Sequence, residues 1–299
     1  MLANLASPLR LKLWNVGKIM HAIQLLPVEG LPMIKPGDDL VALIIERMER
    51  QNLRLQAGDV LVLAQKVVSK SEGRLVNLRQ IVPSERAEKI ATIVQKDPRL
   101  VEVILGESNE VIWVSPNIFV VEDRNGFVAA NAGVDRSNIE QTLADPTASP
   151  NIEGHNPVGD EWLALLPLDP NASARRIREA VRERTGADIA VIINDTYGRP
   201  FRMGGVGVAL GAAGLQTLVD ERGESDLFGY KLQATLVGTG DELASAASLL
   251  MGQAREATPA VIIRGYHFRL PAGADQGAST LVRPKEQDKF RYPANRQIV

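Results

Sequence analysis

The sequence predicts a mixed α and β fold of the α+β class, and three observations carry that reading. Apolar runs with helical period are interspersed along the chain with short β-branched runs. Between Glu110 and Val134 the β-rich runs VIWV, IFVVE and FVAANAGV follow one another, punctuated by Pro116-Asn117 and Asn125-Gly126, as in a strand meander. The 299 residues are 45% hydrophobic and 23% charged, enough apolar material for a substantial core. The order of the strands, parallel or antiparallel, stays open at this level.

The elements follow in chain order. Residues 1–20 mix apolar and basic residues, with Arg10, Lys12 and Lys18 breaking every apolar stretch, so the segment makes neither a signal-peptide core nor a membrane span. It is expected to be an N-terminal extension, with a start at an upstream codon as the competing explanation. Residues 21–299 are expected to form one domain, with room for two subdomains. A strand running into a turn at Gly30 and Pro32 comes first, and then a helix whose Leu40, Leu43, Ile44 and Met48 share a face. Val60 to Val68 is expected as a mostly buried strand, ending in the polar loop Ser69 to Arg74. Ser84 caps a helix, and RLVEVILGES forms another. After the meander, residues 139–162 lose periodicity and are expected as a long surface loop. A helix from about Ala172 to Thr185 stops at Gly186, and an all-apolar strand spans Ile189 to Ile193. Gly204 to Gly214 is glycine-dense, which points to close backbone packing. A helix capped by Asp241 and a last strand, PAVIIRGY, complete the chain.

Bulk chemistry removes several function classes. A formal net charge of -2 with dispersed basic residues offers no surface for a nucleic-acid backbone. The absence of cysteine excludes disulfides, thiolate catalysis and cysteine-ligated metals, and a cytoplasmic enzyme fits best. No Walker A or GxGxxG pattern is present, and His21, His155 and His267 lack metal-ligand spacing.

The informative polar residues lie beside apolar runs. Asp195 and Thr196, just past the run ending at Ile193, are oxygen donors of the kind that hold Mg²⁺ or Mn²⁺ against phosphate; a turn in which Asp195 caps backbone N–H groups is the plain alternative. Asp135, after Gly133, is a candidate second carboxylate of the same site or a simple cap. Lys66, Lys70 and Arg74, and again Arg199 and Arg202, make two clusters that can clamp phosphate, although solvated surface charge explains any one of them. Met251-Gly252-Gln253 either brings backbone groups to a ligand or ends a helix.

In order along the chain stand LPVEGLPMIKPGDDL, VLAQKVVSKSEGR, GFVAANAGVDRSN, LLPLDPNASARRIR, NDTYGRPFR, DLFGYKL, DELASAASLLMGQ and VIIRG. Together, from about His21 to Arg291, they resemble the coenzyme F420-0:L-glutamate ligase family. The resemblance implies a family-specific mixed fold without a Walker loop, a homodimer, no membrane or nucleic-acid partner, and an amide-forming ligase that joins L-glutamate, and further γ-linked glutamates, to F420-0. GTP would be the co-substrate and Mg²⁺ or Mn²⁺ the metal, with a monovalent cation such as K⁺ as a further expectation. By motif position the resemblance makes Asp135 and Asp195 catalytic metal ligands together with Thr196 and Gln253. It makes Leu31, Pro32, Met33, Ile34, Gln65, Lys66, Lys70, Asn138 and the segment Met251, Gly252, Gln253 and Ala254 the nucleotide site. Gln65-Lys66 stands where some relatives have Ser-Thr, and Ala254-Arg255 where many are glycine-rich and acidic. The expected chemistry is phosphorylation of the acceptor carboxylate to an acyl phosphate, followed by displacement of phosphate by the glutamate amine. A related carboxylate-amine ligase with another acceptor, and a non-catalytic nucleotide-binding protein of the same fold, are the alternatives.

Overall fold

The computed structural model describes residues 22–139, 161–270 and 275–288; the extension at 1–20 and nearly all of the loop expected at 139–162 lie outside them. In chain order the elements are β1 (Gln24–Pro27), α1 (Leu40–Arg50), β2 (Val60–Ala64), α2 (Gln65–Ser71), β3 (Leu75–Asn77), α3 (Glu85–Val94), α4 (Pro98–Gly106) and β4 (Ser108–Ser115). They continue as β5 (Ile118–Asp123), β6 (Val128–Ala130), β7 (Trp162–Ala164), α5 (Pro170–Thr185), β8 (Ala190–Arg199), β9 (Arg202–Ala213), β10 (Val219–Asp220), β11 (Leu236–Val237), α6 (Thr239–Met251) and β12 (Ala260–Arg264). The fold is α+β.

The main sheet runs β1-β12-β2-β8-β9, and within it only β2 and β8 are parallel. Side chains alternate across a strand, so each strand feeds two cores. Leu61, Leu63, Val191 and Ile193 pack with α1 and α5 through Ile44, Met48, Ile177 and Val181. Val60, Val62, Ala190 and Ile192 face the other way onto Leu243, Ala244 and Ala247 of α6. This continuous burial on both faces is why these strands are apolar runs with no alternation. A third cluster gathers α3, α4 and the antiparallel sheet β4-β5-β6 around Phe119, Val121, Ile104 and Leu163.

Four helices begin at a side-chain cap. Asp39, Ser84, Asp97 and Asp169 each accept a backbone N–H of the first turn, and Gly186 ends α5 in the left-handed region at φ 73°. Three expectations are corrected. The strand expected to Val68 stops at Ala64, and Gln65 starts α2; the Gln65 side chain donates to Ser69 Oγ at 2.5 Å and to Leu165 O at 3.2 Å, a tertiary anchor that overrides the β-branched Val67-Val68 pair. The strand expected to end at Ile193 runs on to Arg199, because β9 pairs with it as far as Arg199↔Arg202. Asp241 is not the cap of α6; Gly238 holds that position, and the Asp241 carboxylate accepts Ala209 N at 2.9 Å. The glycine-dense run is β9, and close packing is its reason: a Cβ on Gly207 would lie 2.1 Å from Ser248 Oγ, and one on Gly211 would lie 2.3 Å from Pro170 O.

Candidate active site

Where the pairing of β2 with β8 ends, at Ala64↔Asn194, the chain leaves a cavity of about 580 Å³. Its wall is assembled from distant segments: the loop Leu31-Pro32-Met33-Ile34, the start of α2 with Gln65, Lys66 and Lys70, the turn holding Asp135, Ser137 and Asn138, the middle of β8 with Asp195 and Thr196, and the loop that leaves α6 through Met251, Gly252, Gln253 and Ala254. Every residue assigned above by motif position lies on this one surface. Arg74 does not: it is ion-paired with Glu107 at 2.6 Å and donates to Leu166 O at 2.8 Å, which makes it a structural residue. Arg199 and Arg202 lie further out on the β8–β9 ribbon.

Asp135 follows a short 3₁₀ turn at Asn131–Gly133 and is tied to β7 by a backbone bridge to Ala164. Its Oδ1 accepts Ser137 N at 2.7 Å, and its Oδ2 accepts Lys66 Nζ at 2.7 Å. Burial alone would raise its pKa; the Lys66 ammonium and the Ser137 donors outweigh that and hold the carboxyl below its ordinary value. Lys66 also donates to Ser137 O and Oγ at 2.7 and 2.6 Å, and Lys70 donates to Asn138 O at 2.6 Å. The two ammonium groups from successive turns of α2 therefore clamp the Asp135 turn.

Asp195 is placed mid-strand, not in the terminal turn allowed by the sequence. Among the described residues its side chain accepts only from the next residue, Thr196 N, at 2.8 Å. The residue as a whole is partly open to solvent, but its carboxyl sits in the concave wall, where desolvation dominates and the Asp135 charge adds to it; the pKa is pushed up to about 6, with Lys66 opposing. Two acids under one roof, one supplied with a cation and one without, form an oxygen-lined place short of positive charge. Thr196 Oγ1 accepts Gln253 Nε2 at 2.9 Å, which joins β8 to the α6 loop, and Asn138 Nδ2 closes the ring by donating to Ala254 O at 3.0 Å.

Sequence reasoning passed over Ser137, Asn194 and Glu256, which share the lining. Asn194 is 5% exposed and donates to Ser248 Oγ and Met251 Sδ. Glu256 accepts Ala254 N at 2.8 Å, and the backbone donors around it keep its carboxyl below the ordinary range. Ser137 and Asn194 stood inside motifs already singled out, so only their own chemistry went unread.

Residues 30–265 match the family described as F420-0:Gamma-glutamyl ligase. The chain belongs to that family. It is 48% identical over 272 residues to the Coenzyme F420:L-glutamate ligase of Methanothermobacter thermautotrophicus, covering 90% of this chain and 99% of that one. It is 45% identical to the ligase of the same name from Methanopyrus kandleri over 91% of this chain and 100% of the relative. With that of Methanocaldococcus jannaschii the identity is 40%, over 87% and 94%. Each match covers most of both chains, so membership of the F420-0:Gamma-glutamyl ligase family extends to the cavity and all the segments that build it. No helix among the described residues is long and apolar enough to cross a membrane.

Proposed function

We propose that this chain ligates L-glutamate to coenzyme F420-0, with GTP and a divalent metal ion, through an acyl phosphate, and that the 580 Å³ cavity is where it does so. One observation carries the reading: residues picked from five separated motifs converge on one concave surface of a size suited to a nucleotide-class ligand. The family relationship supplies the substrate names.

The donor chemistry fits a hard cation. Asp135, Asp195, the Thr196 hydroxyl and the Gln253 amide offer oxygen atoms in the same wall, and the buried, unneutralised Asp195 carboxyl is the group that a dication would relieve. Among the described residues no group of three His, Cys, Asp or Glu side chains gathers, so phosphate and water would complete the shell, as is usual for Mg²⁺. When bound, such an ion neutralises phosphate charge and makes the γ-phosphorus a better electrophile.

The chain's own residues do the rest. The loop Leu31 to Ile34 and the segment from Met251 to Ala254 flank the nucleotide, and Lys66 and Lys70, while bracing the Asp135 turn, set two positive charges beside its phosphates. An acceptor carboxylate oxygen attacks the γ-phosphorus, GDP departs, and the mixed anhydride is held away from water by the cavity walls. The glutamate amine then attacks the acyl carbon, the C–O bond to phosphate breaks, and the amide is left with inorganic phosphate. No covalent enzyme intermediate is required. We also propose a homodimer in the cytoplasm; Phe201, Met203, Leu227 and Phe228, from 77% to 98% exposed, supply apolar surface suited to a second copy.

The test uses the purified full chain with F420-0, glutamate, GTP and Mg²⁺ or Mn²⁺, followed by mass spectrometry. F420-0 labelled with ¹⁸O in its terminal carboxylate should pass one labelled oxygen to the released phosphate. Label in GMP, with release of pyrophosphate, refutes the acyl phosphate; absence of any glutamyl product refutes the function.

A further inference from the structure

Beyond Asp195, β8 and β9 continue as a two-stranded ribbon that the reaction described above leaves without a task. Alternation places Asp195, Tyr197 and Arg199 on one face, and their antiparallel partners Val208, Val206 and Arg202 on the same face. Between Tyr197↔Val206 and Arg199↔Arg202 the register slips, because β9 spends two more residues than β8 over that interval. Such bulges re-aim side chains. The slip passes through Gly204, at φ 81°, and a Cβ on Gly204 or on Gly198 would meet nothing within 4 Å, so the ribbon here is open ground.

Two features of this stretch are energetically unfavourable as they stand. Arg199 and Arg202 are directly opposed across the ladder, and like charges in that arrangement repel. Among the described residues neither has a carboxylate partner, whereas Arg184 and Arg222, the arginines before and after them in the chain, each hold an aspartate, at 2.7 and 2.5 Å. Among the described residues the Arg199 guanidinium makes a single hydrogen bond, a long contact of 3.4 Å from Nη2 to Met203 O. In addition, Arg199 Nε and Tyr197 Oη are both buried without a hydrogen-bond partner among the described residues, which costs stability at each. A buried N–H, a buried hydroxyl and two opposed guanidiniums on one face are all answered by the same thing, an oxyanion.

Resting on the ligase reading, we propose that this ribbon is an oxyanion subsite in which Arg199, flanked by Tyr197 and Arg202, receives a carboxylate or phosphodiester of one of the two condensing reactants. Arg199 lies four residues, about 13 Å along the strand, from Asp195, and its long side chain spans part of that distance. The polarity of the face agrees with a reactant held end to end. Along that face of β8 the order is Asp195, then Tyr197, then Arg199 opposite Arg202. A ligand there would direct its amine or reacting end toward the acids and its spectator anion toward the guanidiniums.

Arg199→Gln is the main variant, and Lys89→Gln, at an exposed position on α3 away from the cavity, is the control. For Arg199→Gln the KM for one reactant should rise by about 10- to 100-fold, as for loss of a charged hydrogen bond, with the KM for GTP unchanged and the melting temperature the same or higher, since an opposed charge and an unpaired N–H are removed. A rise confined to glutamate assigns the subsite to the amino acid, and a rise confined to F420-0 assigns it to the acceptor's anion; either supports the proposal. Arg199→Ala should regain affinity on addition of guanidinium ion, which a merely structural role would not allow. Calorimetric titration of glutamate and of F420-0 into the wild-type chain and Arg199→Gln reads the same difference without turnover, so an inactive wild type would sink the ligase reading and leave the subsite still decided by binding. Unchanged KM and binding for both reactants overturns the subsite. So does a loss of dimer in Arg199→Gln, by sedimentation, that accounts for the kinetic change.

Discussion

Asp123 closes β5 at 1% exposure and has no part in the proposed chemistry, which makes it a clean test of the buried electrostatics. Its Oδ1 accepts Asn125 N at 2.8 Å and Phe127 N at 3.0 Å, while its Oδ2 is buried without a partner among the described residues. Burial outweighs those backbone donors and, with the neighbouring Glu122 charge, pushes the carboxyl up to about 6 from 3.8. Because the folded chain holds this proton more tightly than the unfolded one, stability falls as pH rises from about 4 to about 6 and stays low above that. The whole effect amounts to about 3 kcal/mol, of which roughly 2 kcal/mol falls between pH 4.5 and pH 8. Asp123→Asn keeps the Oδ1 acceptor and removes the charge. Relative to wild type it should therefore gain about 2 kcal/mol more at pH 8 than at pH 4.5, or about 4–8 °C in melting temperature. Paired thermal melts of both proteins at the two pH values measure this, and other acids cancel in the difference. An equal difference at both pH values, or a variant relatively weaker at pH 8, would refute a carboxylate held ionised against burial.

Asp135→Asn and Asp195→Asn should each abolish product formation at limiting Mg²⁺ while the circular dichroism spectrum is retained; near-normal turnover by either variant removes that residue from the mechanism. Gly207→Ala puts a Cβ 2.6 Å from Ala244 O, so α6 must shift; a loss of about 1–3 kcal/mol in urea melts and a raised KM for GTP are expected, since α6 leads into the Met251 loop. Arg264 holds the buried Asp59 through contacts of 2.9 and 2.7 Å, and Arg264→Met should cost about 3–5 kcal/mol at pH 7, with part of the loss recovered in the double variant Asp59→Asn/Arg264→Met.

The helices and buried strands were legible because their signals are local. Ser84 announces a helix start and Gly186 a helix stop, and Val191 to Ile193 is apolar because both faces of β8 are covered there. What could not be read depends on partners far away in sequence. The end of β2 is decided by Gln65 bonding to Leu165 O, 100 residues on, and the length of β8 by how far β9 chooses to pair. The candidate site was legible as a set of residue types and motif positions, but the Lys66 bridge from Asp135 to Ser137 and the isolation of Asp195 are properties of the assembled wall. Asp123 was invisible for a related reason: in the sequence it opens an ordinary Asp-Arg-Asn-Gly turn, and only the assembled fold, which leaves it 1% exposed beside the Glu122 charge, makes it a buried acid.

The location of the cavity follows from one topological fact. β2 and β8 are the parallel pair of the main sheet, and their pairing ends with Ala64 opposite Asn194. Beyond that point the paths diverge: β2 gives way to α2, which turns Lys66 and Lys70 toward the Asp135 turn, while β8 keeps its extended course with β9. A parallel pair whose members part company leaves a crevice outside its strand ends, the usual place for ligands in sheets of this kind. Here the strand that continues also lines the crevice. One face of β8 is therefore apolar at Val191 and Ile193, where helices cover it, and acidic at Asp195, where they do not. The same alternation that builds the core thus delivers the carboxylate to the cavity, and two residues further on it delivers Tyr197 and then Arg199 to the open ribbon.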